Sequence, residues 1–279
     1  MRGFRCDRGK LGRVPPEPRR SLPVEAFTRT AIGAAGQAQL VGTMALLLGR
    51  IAASVVRAKF DRAELLGQLY RMGVKSLPIV TTTALFTGGI MVIQAGPLVE
   101  RYGAQGLLGW GAGFGTLREV GPLLTALMIS GRVGANNTAE LGTMAVTEQL
   151  DGLRALAIDP ADFLIAPRFV AIVVTLLLST LFSDALALLG AAQCGWMLLG
   201  VEPTIFFRGL TSELLGFGDV LHGLIKSVLF GGVIGLTSCH FGINTSGGAP
   251  GVGRAVNSAV VVSAVGIFGL DYLLSFALQ

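Results

Sequence analysis

Long apolar runs without a single charged side chain are the feature that most constrains the fold. No Asp, Glu, Lys or Arg occurs between Lys75 and Glu100, and about 20 apolar residues suffice for a helix to cross the hydrocarbon core of a bilayer. Charged residues make up 14% of the 279 residues, whereas soluble domains carry about 25%. The sequence therefore predicts an all-α polytopic membrane protein.

The apolar runs predict five spans, separated by short polar segments. We expect the spans at 76–99, 103–131, 163–200, 221–241 and 255–278. The second span contains Arg118 and Glu119, and Pro122 predicts a kink because proline removes a backbone donor. The third span exceeds the length of one upright crossing, so it must tilt or project from the bilayer. A glycine-rich turn over 242–253 should join the last two spans.

The N-terminal part of the chain divides into two predicted segments. Residues 1–30 are rich in Arg and Pro and lack the apolar core of a signal peptide, so we expect a flexible basic tail. Polar side chains interrupt the apolar residues 31–56, which favours an interfacial helix over 31–60, although a spanning helix stays open. Residues 61–279 then form one membrane domain, which begins with a short amphipathic helix over 61–75.

A polar stretch, residues 131–160, separates the second and third spans. Its charges must lie outside the hydrocarbon, since an ionised group at the bilayer centre costs at least ~2.5 kcal/mol. We predict a short helix within 137–158. Asn137 and Glu140 have the spacing of a capping box, and Asp151 and Arg154 have that of an i,i+3 ion pair. An apolar face is formed by Leu150, Leu153 and Leu156.

The distribution of Lys and Arg predicts the orientation of the chain. With five spans, 18 of the 22 basic residues fall on the side of the N-terminus and two on the other side, while Arg118 and Lys226 lie within spans. Basic residues are enriched in cytoplasmic loops. The N-terminus and the 131–160 stretch are therefore expected in the cytoplasm.

Five motifs of the chain carry a resemblance to a known family. The longest, AELGTMAVTEQLDGLRALAIDPADFLIAPR, covers 139–168. The others are SLPIV at 76–80, LREVGPLLTALMISGRVGA at 117–135, LIKSVLFGGVIG at 224–235 and GGAPGVGRAVNSAVV at 247–261. In content and order these motifs resemble the MlaE/YrbE family, the permease subunits of MCE-type ABC lipid transporters, and the resemblance extends over about residues 60–279.

The resemblance implies a MlaE-like permease fold with an N-terminal interfacial helix, five transmembrane helices and a cytoplasmic coupling helix. It implies a multi-pass homodimer in the bacterial inner membrane that moves phospholipid or a related lipid between the inner and outer membranes. The implied partners are an ABC ATPase dimer, a hexamer of an MCE-domain protein and, in some members, a STAS-domain subunit. No role in nucleic-acid binding is implied.

The predicted coupling helix supplies the candidate contacts to the ATPase, which are Glu140, Thr147, Glu148, Asp151 and Arg154. An ordinary solvated loop helix is the alternative. The sequence contains no GxxxxGK[ST] phosphate-binding loop, so ATP is expected on a separate subunit. We expect no catalytic residue, cofactor or metal site in this chain.

Charged residues within spans usually pair or line a water-filled cavity. We predict that Arg118, Glu119 and Lys226 bind a lipid headgroup, with Lys226 or Arg118 holding its anionic part; a structural Glu119–Lys226 ion pair is the alternative. Asp184 and Asp271 suit interhelical hydrogen bonds better than a proton path. An ion-coupled secondary transporter that uses Asp184, Glu119 and Lys226 stays open as a second function, and a structural anchor for the MCE protein as a third.

Overall fold

A computed structural model describes residues 34–56, 62–103, 105–211 and 215–277, and these residues form helices and no strand. The predicted basic tail lies outside the described residues. The chain separates into two units, Met1–Thr43 and Met44–Gln279. In the first unit, the described residues are the beginning of a helix. The second unit contains the remaining helices.

Eleven helices are labelled here in chain order. They are α1 (Ala34–Val56), α2 (Arg62–Met72), α3 (Leu77–Tyr102), α4 (Leu108–Gly115), α5 (Gly121–Ile129), α6 (Ala135–Val146), α7 (Gln149–Ala155), α8 (Ala166–Leu199), α9 (Pro203–Leu210), α10 (Phe217–Ile243) and α11 (Gly248–Ala277). Three π-helical segments, Thr116–Val120, Ser130–Gly134 and Ala161–Ile165, precede α5, α6 and α8.

Four helical stretches among the described residues are long and apolar enough to cross a membrane: Glu64–Pro97, Ala161–Leu199, Phe217–Ile243 and Gly248–Ala277. They correspond to the first, third, fourth and fifth predicted spans. The predicted second span is not among them, because Arg118, Glu119 and many glycines lower its hydropathy. It nevertheless lies within an almost unbroken helical run, in which α4, α5 and α6 are joined by two π-helical segments.

Contacts along this run show that it passes through the bundle parallel to α10. Gly223 lies against the Leu117 backbone, Ile234 lies against Gly134, and Gly242 lies against Leu141. The run therefore connects the same two ends of the bundle as α10 does, and it is the fifth pass. The all-α polytopic architecture predicted from the sequence is confirmed.

The two ends of the bundle are named here after the short helices that mark them. The α7 end contains α7, the beginnings of α3 and α8, and the turn between α10 and α11. The α9 end contains α9, the end of α3 and the beginnings of α4 and α10.

Glycines let the long helices approach closely. α8 packs against both α3 and α10. Gly88 on α3 lies against the Ala187 backbone, and Gly190 on α8 lies against the Leu85 backbone, so these two helices touch main chain to main chain. Such contacts are typical of helix packing in lipid, where small residues replace hydrophobic burial as the means of association.

Large apolar side chains project outward along α3, α8 and α11. Exposed examples are Phe86, Ile93, Leu181, Met197, Val265 and Tyr272. Soluble monomers rarely expose apolar patches larger than a few hundred Å². This surface therefore suits contact with acyl chains or with another protein within the membrane.

The first helix is long, but its apolar part is short. The apolar stretch Val41–Val55 is shorter than the four candidate spans. Leu47 and Ile51 pack against Leu141 and Ile165 at the α7 end. An interfacial position of this helix agrees with these contacts and stays a prediction, and residues 57–61 lie outside the described residues.

Two local predictions are wrong. The 242–253 turn is shorter than expected, because α11 begins at Gly248. Gly247 and Gly248 both adopt positive φ angles, 86° and 67°, which glycine allows without strain. Asn137 does not cap a helix; it is buried within α6, which continues without a break from the preceding π-helical segment. Asn137 and Glu140 therefore have the spacing of a capping box but not its structure.

We predict that Gly88→Ala destabilises the bundle, because a Cβ at this position would meet the Ala187 backbone rather than a movable side chain. Overpacking of this kind costs about 1–3 kcal/mol. The melting temperature of the purified chain in detergent should fall by several degrees. Gly232→Ala in α10 is the matched control, since a Cβ there meets nothing within 4 Å; equal melting temperatures of the two variants would contradict the prediction.

Candidate functional site

A buried lysine lies at the centre of a polar cluster among the membrane-crossing helices. Lys226 on α10 is 1% exposed. Its Nζ lies 2.5 Å from Oε2 of Glu119 and 3.0 Å from Oδ1 of Asp271, and it donates a hydrogen bond of 2.8 Å to Ser275 Oγ. Ser275 Oγ also lies 3.1 Å from Glu119 Oε2. The cluster joins the α4–α6 run, α10 and α11.

The lysine ammonium has three N–H donors. It donates hydrogen bonds to Glu119 and Ser275, whereas Asp271 Oδ1 lies at ion-pair distance and has no hydrogen-bond partner among the described residues. The two carboxylates, ionised, outweigh the single ammonium, so the cluster carries a formal charge of −1. The Glu119 side chain is 37% exposed, and it is the member of the cluster that solvent or a ligand reaches most easily.

The other predicted lipid-binding residue belongs to a neighbouring cluster. Arg118 Nη1 lies 3.4 Å from Asp219 Oδ1 at the beginning of α10, and its guanidinium lies 5.3 Å from the centre of the Phe114 ring. Arg118 and Glu119 are both in the first π-helical segment. π-helical turns are frequent at functional sites, and this one directs two adjacent side chains to different residues of α10.

The acidic residues of α8 and α11 have separate surroundings. Asp271 is part of the Lys226 cluster, whereas Asp184 is buried beside Gly121, with no hydrogen-bond partner for its Oδ1 among the described residues. The structure therefore gives Asp271 an ion pair, and it does not show the interhelical hydrogen bond expected for Asp184.

A second buried network lies at the α7 end. Arg168 is 4% exposed in its side chain and lies 3.1 Å from Glu140 Oε2. It also donates to Asn137 Oδ1 at 3.2 Å, and Asn137 in turn donates to Ser238 Oγ at 2.9 Å. Breaking a buried ion pair is costly, so this network ties α6, α8 and α10 together.

The predicted coupling segment forms the end of α6 and the separate helix α7. A left-handed residue, Glu148 (φ 60°), divides them. The predicted Asp151–Arg154 ion pair is confirmed at 2.7 Å, with both side chains about two-thirds exposed. Thr147 donates its hydroxyl to the Thr143 carbonyl, also on the surface.

An apolar side chain accompanies these exposed polar groups. Leu150 is buried, whereas Leu156 is 72% exposed beyond the last turn of α7. The groove beside α7 has a volume of about 770 Å³ and is bordered by α2, α6 and the third π-helical segment. The α7 end therefore presents a mixed polar and apolar surface next to a groove.

Of the eight predicted site residues, the structure brings Glu119 and Lys226 into direct contact and places Arg118 beside a different carboxylate. Glu140 points inward to Arg168, apart from the exposed α7 residues. Sequence reasoning missed Ser275, Asn137 and Arg168. The rule that intramembrane charges pair could have directed attention from Lys226 to Asp271 and, one turn further on α11, to Ser275.

These features define a polytopic helical membrane protein. It has a charged cluster among its crossing helices and, at one end, the exposed helix α7 that follows α6. Residues 65–277 match the family model described as Permease MlaE. The chain belongs to the MlaE permease family. The matched region includes all five passes through the bundle.

Three curated relatives are similar over most of this chain. A probable ABC transporter permease protein of Rickettsia typhi is 35% identical over 238 residues, which cover 85% of this chain and 92% of that protein. The chloroplastic protein trigalactosyldiacylglycerol 1 of Arabidopsis thaliana is 36% identical, covering 82% and 65%. The intermembrane phospholipid transport system permease protein MlaE of Haemophilus influenzae is 32% identical, covering 76% and 81%.

We predict that Lys226→Met strongly destabilises the chain, because Glu119 and Asp271 would face each other without a cation. Removing one partner of a buried pair costs about 3–5 kcal/mol, and the exposure of Glu119 favours the lower end of this range. Thermal unfolding in detergent is the measurement, and Arg154→Met is the control, since exposed pairs contribute about 0–1 kcal/mol. Equal losses of thermal stability in the two variants would contradict the prediction that the Lys226 cluster contributes more to stability than an exposed ion pair.

Proposed function

We propose that this chain is the permease subunit of an ATP-driven transporter that moves phospholipid or a related lipid between two membranes. The observation that carries the proposal is the family match over residues 65–277, which includes every pass through the bundle. The relatives named as ABC transporter permeases and as a phospholipid transport permease support both the energy source and the cargo. They also favour this function over ion-coupled secondary transport.

The α7 end faces the cytoplasm in this proposal, and the protein resides in a bacterial inner membrane with its N-terminus inside. The excess of Lys and Arg on that side supports the orientation. An ATPase dimer binds at the α7 end and carries the ATP, so this chain performs no hydrolysis. A second copy of the chain completes the permease, an MCE-domain hexamer adjoins the α9 end, and a STAS-domain subunit accompanies the ATPase in some systems.

The lipid headgroup is proposed to reach the Lys226 cluster through Glu119. Lys226 already has two hydrogen-bond acceptors and a second carboxylate at ion-pair distance, and the cluster has a formal charge of −1. A headgroup that carries an ammonium group would therefore bind Glu119 without displacing any of these contacts. An anionic headgroup would have to compete with the two carboxylates for Lys226, or bind Arg118 beside Asp219.

Force from the ATPase is proposed to enter through the exposed residues of α7 and to reach the crossing helices through Glu140. Thr147, Glu148, Asp151 and Arg154 form the polar part of the contact, and Leu156 forms its apolar part. Glu140 acts from inside, because its ion pair with the buried Arg168 joins α6 to α8. A displacement of the coupling segment would then move α8 directly.

We predict that the purified permease–ATPase complex in vesicles moves phospholipid only with ATP. We also predict that Glu119→Gln lowers this transport rate about tenfold. The amide loses the charge that attracts an ammonium headgroup. Glu202→Gln, the same change on an exposed residue at the α9 end, is the matched control. Transport driven by a proton gradient without ATP would overturn the proposed function and favour the secondary transporter.

We predict that Leu156→Asp reduces co-purification of the ATPase with the chain at least fivefold, because it places a charge in the apolar part of the proposed contact. Leu107→Asp changes an exposed leucine at the α9 end and should leave co-purification unchanged. The measurement is the ratio of ATPase to permease after affinity purification. If Leu107→Asp had the larger effect, the ATPase would bind the opposite end from the one proposed.

A further inference from the structure

A second cavity at the α7 end is lined by three cationic side chains. It has a volume of about 280 Å³ and lies between α2 and the second π-helical segment. Its polar lining consists of Gln68, Arg71, Lys75, Arg132, Asn136 and Glu140. No residue of the Lys226 cluster lines this cavity.

The charges around this cavity leave a net positive potential. Among the described residues, Glu140 is the one acidic residue in the lining, and it pairs with Arg168. The ion-pair partner of Arg71 in this part of the chain is the exposed Glu64, at 3.6 Å. Within the described residues, neither Lys75 nor Arg132 has a carboxylate at ion-pair distance. Guanidinium and ammonium groups that converge in this way bind phosphate oxygens well.

The cationic residues lie where two crossing helices leave the apolar layer. Lys75 comes two residues before α3 begins, and Arg132 comes three residues after α5 ends. Side chains at this position in a membrane helix reach the level of the lipid headgroups. The group of opposite charge at that depth is the phosphate of a phospholipid.

The surface of α2 supports contact with the same lipid layer. Leu66 and Tyr70 are exposed four residues apart on α2, and Val74, two residues beyond its end, is also exposed. Arg71 follows Tyr70, about 100° further around α2, and Lys75 follows Val74 in the 3-10 turn Val74–Ser76. With these apolar side chains among the acyl chains, the two cations would project toward headgroups.

We infer that this cavity binds the phosphate group of a phospholipid in the leaflet at the α7 end, as a site separate from the Lys226 cluster. The inference rests on the proposed lipid function for its biological meaning, but the binding needs neither the ATPase nor transport. Free phosphate would share the same chemistry. The mixed lining, in which buried Met72 and Val133 accompany the cations, favours a ligand that has both a phosphate and apolar parts.

The test measures binding to the full chain, purified without the ATPase and stripped of lipid in detergent. Native mass spectrometry would count bound phosphatidylglycerol, diacylglycerol with the same acyl chains, and inorganic phosphate. The variant Lys75→Gln/Arg132→Gln is compared with Arg101→Gln/Arg208→Gln, which removes two exposed charges at the α9 end. Circular dichroism and gel filtration would establish that both variants remain folded.

We expect the wild-type chain to retain one more tightly bound phosphatidylglycerol than the cavity variant, with an affinity difference of at least tenfold, and the control variant to match the wild type. Diacylglycerol should bind all three chains alike. Displacement by millimolar inorganic phosphate would assign the site to free phosphate instead of lipid.

Two results of this test would overturn the inference: equal phosphatidylglycerol binding by all chains, or an equal loss in the control variant. Equal lipid binding, together with loss of the ATPase when the cavity variant is purified with it in a separate experiment, would make the cavity a contact for acidic groups of a protein partner. The binding test contains neither ATP nor the ATPase. A failure of ATP-driven lipid transport would therefore contradict the proposed function but not this site, so the two failures are distinguishable.

Discussion

An ammonium group inside a bundle of membrane-crossing helices must be surrounded by acceptors, and the arrangement of this protein follows from that requirement. Lys226 takes Glu119 from the second pass and Asp271 and Ser275 from the fifth. Each of these residues would be costly alone in a medium of low dielectric constant. Together they fix the relative depth of three helices, because a shift of one helical turn would separate the charges by about 5 Å.

At the α7 end, a buried arginine is likewise paired with acceptors from neighbouring helices. Arg168, near the start of α8, binds Glu140 and Asn137 on α6, and Asn137 continues the network to α10. The helix that carries Glu140 is the one that leads into the exposed α7. A rigid polar connection therefore links the surface proposed to receive the ATPase with the helices proposed to surround the lipid. Glycine contacts such as Gly88 with Ala187 hold α3 and α8 in close backbone contact.

Much of the fold could be predicted from the sequence because the bilayer imposes simple rules on chain length and charge. The uncharged run after Lys75 predicted a span, and the structure has a helix from Leu77 to Tyr102. The Asp151–Arg154 pair followed from helical spacing alone. The prediction for Asn137 failed because a capping motif and a buried polar residue look identical in sequence; the partners that distinguish them, Arg168 and Ser238, are distant along the chain.

By itself, the sequence determined the helical class and the position of the polar segment between the second and third predicted spans, since hydrophobic length and charge act locally. Only the tertiary structure decided which charges meet. It separated Arg118 from Glu119, joined Glu119 to Lys226 and Asp271, and turned Glu140 inward, because pairing depends on the rotation and depth of helices packed from distant parts of the chain. It also placed Lys75 and Arg132 on one cavity, although 57 positions separate them in the sequence.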